Sequence, residues 1–180
     1  MRLFVVAYLL FVGGVAVLAQ MVLPAHYPIL SDMGVGSALV PLVVIYASLE
    51  LGDESAPVLA GILGLFLDLT SSHHLGTSVL ILSSLSALIV SQAQKPESHL
   101  WIFRLTFVLV GTFAYLLLDY IFILAETFRW YWPLSVWSKI TFASLLNLVL
   151  CPLFFYLIGL PPRFCGWKPD YETQDRYHAR

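Results

Sequence analysis

Apolar runs alternate with short polar stretches along almost the whole chain. The first run, Leu3 to Ala25, contains no charged residue. At ~1.5 Å per residue it is long enough to cross a hydrocarbon core of ~30 Å. A loop from Pro24 to Asp32 follows, and a second, shorter run covers Met33 to Leu49 with Pro41 inside it. The acidic stretch Glu50 to Ser55 separates this from a pair of runs joined by the polar turn Thr70 to His74. A connection with Lys95 and Pro96 leads to the fifth run, and the loop Ala125 to Pro133 leads to the sixth, which Pro161-Pro162 is expected to stop. The pattern predicts six helical spans at about 3–25, 33–49, 56–69, 75–91, 100–124 and 134–160. They form one transmembrane domain over 1–162, and a short polar tail occupies 163–180.

The third and fourth runs carry a second periodicity. Ala56, Ala60, Gly64 and Asp68 recur every fourth residue, so they stack along one helix face with the acid at its end. In lipid, close approach through small residues is a main route of helix association. Ser83, Ala87 and Ser91 repeat the spacing on the next helix. Both stripes predict helices that pack against protein.

Composition agrees with a membrane protein. Of 180 residues, 59% are hydrophobic and 11% charged, with a mean hydropathy of +0.86. A water-soluble domain carries roughly 25% charged residues. Cys151 and Cys165 give no disulfide framework. The start of the chain has a rival reading as a cleaved signal peptide, with Arg2, an apolar stretch and the small-residue end Val17-Leu18-Ala19. The apolar run continues to Leu23, which favours a retained helix.

Basic residues set the orientation. With six spans and cytoplasmic termini, the inside receives Arg2, Lys95, Arg104, Arg163, Lys168, Arg176 and Arg180, and the outside receives only Arg129 and Lys139. Trp130, Tyr131, Trp132 and Trp137 then lie at the outer interface and Trp101 at the inner one, as in an aromatic belt.

Three ionisable groups fall at one outer depth: Asp68 on span three, Asp119 on span five and Lys139 on span six. A charge in a bilayer is costly, so a polar site open to the outside is one expectation and a helix-locking pair of Lys139 with Asp68 or Asp119 is a second. Snorkelling to the headgroups is another, and so is capping of the turn near Ser71 and Ser72 by Asp68. Arg104, one turn into its helix, is expected to snorkel to the cytoplasmic interface.

No catalytic constellation is present. The chain lacks G-x-S-x-G, H-E-x-x-H and phosphate-binding glycine loops. Its serines have no evident base, and His26, His73 and His74 lack helical ligand spacing. No metal, cofactor or nucleic-acid partner is expected, and the mixed charges of the tail do not form an anionic-lipid patch.

The segment Gly61-x-x-Gly64-x-x-x-Asp68, with Leu75-Gly76 and a long apolar run after it, resembles the signature of the rod shape-determining MreD family over about 35 residues. The resemblance implies a bacterial inner-membrane, non-enzymatic subunit of the cell-elongation machinery. Its partners would be the membrane-anchored MreC and, with it, the polymerase and transpeptidase of sidewall peptidoglycan synthesis. Ala60, Gly61, Gly64, Asp68 and Gly76 become the expected packing or interaction residues. The family is thought to share its architecture with the substrate-binding subunits of energy-coupling factor transporters. A vitamin-type solute-binding subunit is therefore the alternative function.

Overall fold

The computed structural model describes residues 2–26, 39–70, 76–93, 101–127 and 133–164. These form six helices: α1 Arg2–His26, α2 Leu39–Leu51, α3 Ser55–Thr70, α4 Thr77–Ala93, α5 Trp101–Thr127 and α6 Leu134–Phe164. The His73-His74 turn, the Trp130-Tyr131-Trp132 cluster and the tail after Phe164 lie outside the described residues. Leu3–Val22, Trp101–Ala125 and Leu134–Gly159 are each long and apolar enough to cross a membrane, and α2, α3 and α4 are shorter apolar helices.

The short α2 is the axis of the bundle. It touches each of the other five helices, and every residue from Val40 to Leu51 is buried. A helix that is apolar all round belongs in an interior, and here that interior is made of protein. Burial on every side frees α2 from matching the bilayer thickness. Pro41 falls in its first turn, where a proline lacks only an N–H that has no helical partner anyway. Pro41 therefore lies at the start of this helix and does not interrupt it. The Gln20 side chain of α1 accepts from Val40 N at 3.3 Å and supplies a partner for another N-terminal amide of α2.

The acidic stretch after α2 divides differently from the sequence expectation. Glu50 and Leu51 belong to the helix and are buried. Gly52 follows with φ 62°, its amide bonded to Ser48 O at 3.2 Å. Asp53 then caps α3, accepting from Ser55 N at 3.1 Å. At the other end of the chain, Pro161-Pro162 does not stop α6, which continues to Phe164.

Two antiparallel hairpins flank α2. The α3–α4 pair is the more extensive, and the α5–α6 pair is the other. α1 packs on α2 and α3. Between apolar helices in lipid, contact is driven by packing and hydrogen bonds, and both are visible here. Ser48 on α2 meets Ser86 on α4 at 2.7 Å between hydroxyls. Asn147 on α6 donates to Thr112 on α5 at 3.4 Å.

Candidate functional site

The small-residue ridge of α3 faces inward. Ala56, Ala60, Gly64 and Asp68 are all buried, while Val58, Ile62, Leu65, Phe66 and Leu69 form the exposed side. A Cβ added to Gly64 would stand 2.7 Å from Val79 Cα and 2.8 Å from both Ser78 O and Val79 N. All three are backbone atoms of α4, so nothing there can rotate away. The hairpin is closed tightly enough that only glycine fits at this position. Gly61, three residues earlier, is different: a Cβ there would reach only Val79 Cγ1 at 4.0 Å.

Asp68 stands where the ridge meets the turn and is buried. Its Oδ2 accepts from Gly76 N at 2.7 Å and its Oδ1 from Ser78 N at 3.1 Å. Both amides belong to the start of α4, where backbone N–H groups have no helical partner and the helix dipole favours a negative charge. A carboxylate from the end of one helix thus caps the start of the next. Gly76 has φ 107°, a conformation open to glycine and strained for other residues. That conformation lets its amide turn toward Asp68. Tyr115 of α5 is buried beside Ser78, with Asp68 and Asp119 close enough to act on it electrostatically.

The expected outer cluster is rearranged. Asp119 is half-buried on α5, and Lys139 is exposed on the first turns of α6. Among the described residues, Asp68 makes no ion pair with Lys139. Its oxygens are turned to the backbone of its own hairpin, which lies within reach regardless of how α6 is placed. Ser71 and Ser72, the turn residues expected to receive the cap, lie outside the described residues.

The second small-residue stripe is also reassigned. Ala87 and Ser91 are exposed, and Ser83 bonds back to Val79 O at 2.6 Å. The buried face of α4 instead carries Ser78, Leu82, Ser86 and Ile89. Packing selects the face that can meet α2 and α3, and the four-residue spacing alone does not reveal which face that is.

At the opposite end of the bundle, Arg104 of α5 donates from Nη1 to Glu50 Oε1 of α2 at 3.0 Å. The side chains keep 11% and 3% of their exposure, so Arg104 does not snorkel to water. This buried pair is the largest feature missed in the sequence. One signal pointed to it: antiparallel alternation puts the end of the second span and the start of the fifth at the same level, and the two ends carry opposite charges. Around the pair stand Tyr46 and Phe155, in edge contact at 4.9 Å, and Trp101, 6.4 Å from Phe155.

One motif and two polar clusters therefore organise the molecule, and the motif matches beyond its own segment. The family model described as rod shape-determining protein MreD matches residues 1–160. The chain belongs to the MreD family. The match covers five helices whole and α6 as far as Leu160, including the glycine-aspartate hairpin and the Glu50–Arg104 pair. No curated protein and no solved structure matches this chain. Membership makes it a cell-shape protein of the rod-determining kind, embedded in a membrane through its apolar helices.

Proposed function

We propose that this MreD-family chain is a non-enzymatic membrane subunit of the bacterial elongation machinery. It works with an MreC-like membrane protein and, through that protein, with the polymerase and transpeptidase of sidewall peptidoglycan synthesis. The family match over residues 1–160 carries the reading. The polar chemistry fits it. Asp68 is occupied with backbone amides, Glu50 with Arg104 and Ser48 with Ser86. Groups held in this way fix helices against one another. In the proposal all six helices span the inner membrane, arranged as in energy-coupling factor subunits, with both termini cytoplasmic.

The expected site residues take a positioning role in this reading. Ala60, Gly64, Asp68 and Gly76 hold the α3–α4 hairpin as one rigid unit, and Gly61 lies at its edge. The outer face of α3 is then presented at a fixed angle.

Depletion of the protein in a rod-shaped host is expected to give rounded cells, and a tagged copy is expected to co-purify with the MreC-like protein. Retention of rods after full depletion would refute the reading. Reporter fusions at Arg180 and in the 125–133 loop are expected to read inside and outside, and an external tail would overturn the orientation.

A further inference from the structure

The Glu50–Arg104 pair lies in a cavity of about 210 Å³ between α2, α5 and α6. We propose that this cavity holds the headgroup of a zwitterionic phospholipid, with the phosphodiester on Arg104 and the ammonium at the aromatic rim.

Depth is the first argument. α6 runs from Leu134 to Phe164, and Tyr156 lies about 33 Å from its start at ~1.5 Å per residue. That is one hydrocarbon thickness, ~30 Å. When Leu134 stands at one boundary of the core, Tyr156 reaches the headgroup level of the other. Trp101 begins α5 and Arg104 follows one turn later, so the cavity lies just inside that level.

Shape is the second argument. Buried Tyr46 and Phe155 make the floor, and Pro152 of α6 stands in the wall. Trp101 and Tyr156 are 47% and 63% exposed and form the rim. These two side chains have the amphipathic character that favours the membrane–water boundary. The volume is on the order of seven waters at ~30 Å³ each, enough for a headgroup and too small for a lipid tail to coil into.

Charge is the third argument. Arg104 is the more exposed member of the pair and lines the cavity beside Glu50. Its planar fork suits a phosphate oxygen pair. Glu50 holds that fork in place from beneath. The lining places the Arg104 guanidinium beside the Glu50 carboxylate, with Trp101 and Tyr156 at the rim. An ammonium positioned at the rim near Trp101 and Tyr156 gains cation–π attraction. A headgroup carrying phosphate and amine together uses both halves of the site, whereas an anionic headgroup uses one.

The test is lipid titration of the delipidated full chain in detergent micelles, read by native mass spectrometry. Phosphatidylethanolamine, phosphatidylglycerol and inorganic phosphate are compared. One retained phosphatidylethanolamine is expected, with phosphatidylglycerol bound several-fold more weakly. The double variant Glu50→Gln with Arg104→Gln is expected to bind phosphatidylethanolamine about tenfold more weakly, since it loses the charge-assisted bonds. Tyr156→Ala leaves the ion pair untouched and is expected to weaken the same lipid by a few-fold through the rim. It decides the matter if the double variant does not accumulate. Equal retention of the two lipids, or unchanged phosphatidylethanolamine binding in Tyr156→Ala, would overturn the proposal. So would displacement of the lipid by millimolar inorganic phosphate, which would make the cavity a soluble-anion site.

Discussion

Asp68 and Gly76 close the α3–α4 hairpin by a bond of 2.7 Å from the glycine amide to the aspartate Oδ2. The same carboxylate accepts from Ser78 N through its other oxygen. In a membrane, an amide left without a partner costs several kcal/mol, so this one side chain relieves a large local penalty.

Substitution at Asp68 is expected to grade by acceptor count. Asn keeps one oxygen and turns an NH2 toward the second amide, so it satisfies one donor and opposes the other. Ala satisfies neither. A loss of about 1 kcal/mol for Asp68→Asn and about 2–3 kcal/mol for Asp68→Ala follows from the cost of unsatisfied buried donors. Thermal melting in detergent and membrane abundance would both show the order. Lys139→Met is expected to be neutral and to add nothing to either variant. Rescue of Asp68→Asn by Lys139→Met would instead favour an Asp68–Lys139 ion pair over the backbone cap. A Asp68→Ala protein that stays abundant but loses the MreC-like partner would instead point to direct contact.

Gly64 should not tolerate even one methyl group. Gly64→Ala places a Cβ against three backbone atoms of α4, and the helices must separate. Overpacking of this kind costs typically about 1–3 kcal/mol, and Gly64→Leu is expected to be worse. Leu65→Ala, on the exposed side of α3, serves as the control and should change little. Accumulation and melting temperature of the three variants give the comparison, and a wild-type melt for Gly64→Ala would contradict the close contact.

The Glu50–Arg104 pair makes a non-additive prediction. Removing one partner leaves a buried charge, which costs about 3–5 kcal/mol, whereas removing both can be close to neutral. Glu50→Gln and Arg104→Gln are each expected to lower abundance, and the double variant is expected to recover most of it. Additive losses would show that each residue acts through some other contact.

The Ser48–Ser86 bond should be worth little. Interhelical hydroxyl bonds in membrane proteins average about 0.6 kcal/mol. Ser48→Ala and Ser86→Ala are each expected to cost about that much, with a double-variant cycle showing coupling of the same size. An effect as large as that of Asp68→Ala would give this bond a role beyond packing.

Much of the architecture could be read along the chain. Long uncharged runs are costly in water and favourable in lipid, so six apolar helices follow from composition and spacing. The ridge Ala56–Ala60–Gly64–Asp68 is a local property of one helix, and its four-residue period places all four residues on one buried face. The glycine-aspartate motif also pointed to the family.

Tertiary structure decided which surfaces meet. Up to Ala47 α2 is apolar on every side, and that hydrophobic pattern does not distinguish a lipid-facing helix from a central one. Only contact with all five neighbours makes it the axis. The Ser83–Ala87–Ser91 stripe had the right spacing, yet Ala87 and Ser91 face outward, because the close approach of Gly64 to Ser78 and Val79 holds another face of α4 against α3. For Asp68 the sequence left pairing with a cation on a distant helix and capping of its own turn both open, and the tertiary structure turns it to the amides of Gly76 and Ser78. Arg104 finds Glu50 across 54 residues. Periodicity is a property of single helices, whereas a partner at such separation is fixed by how helices dock.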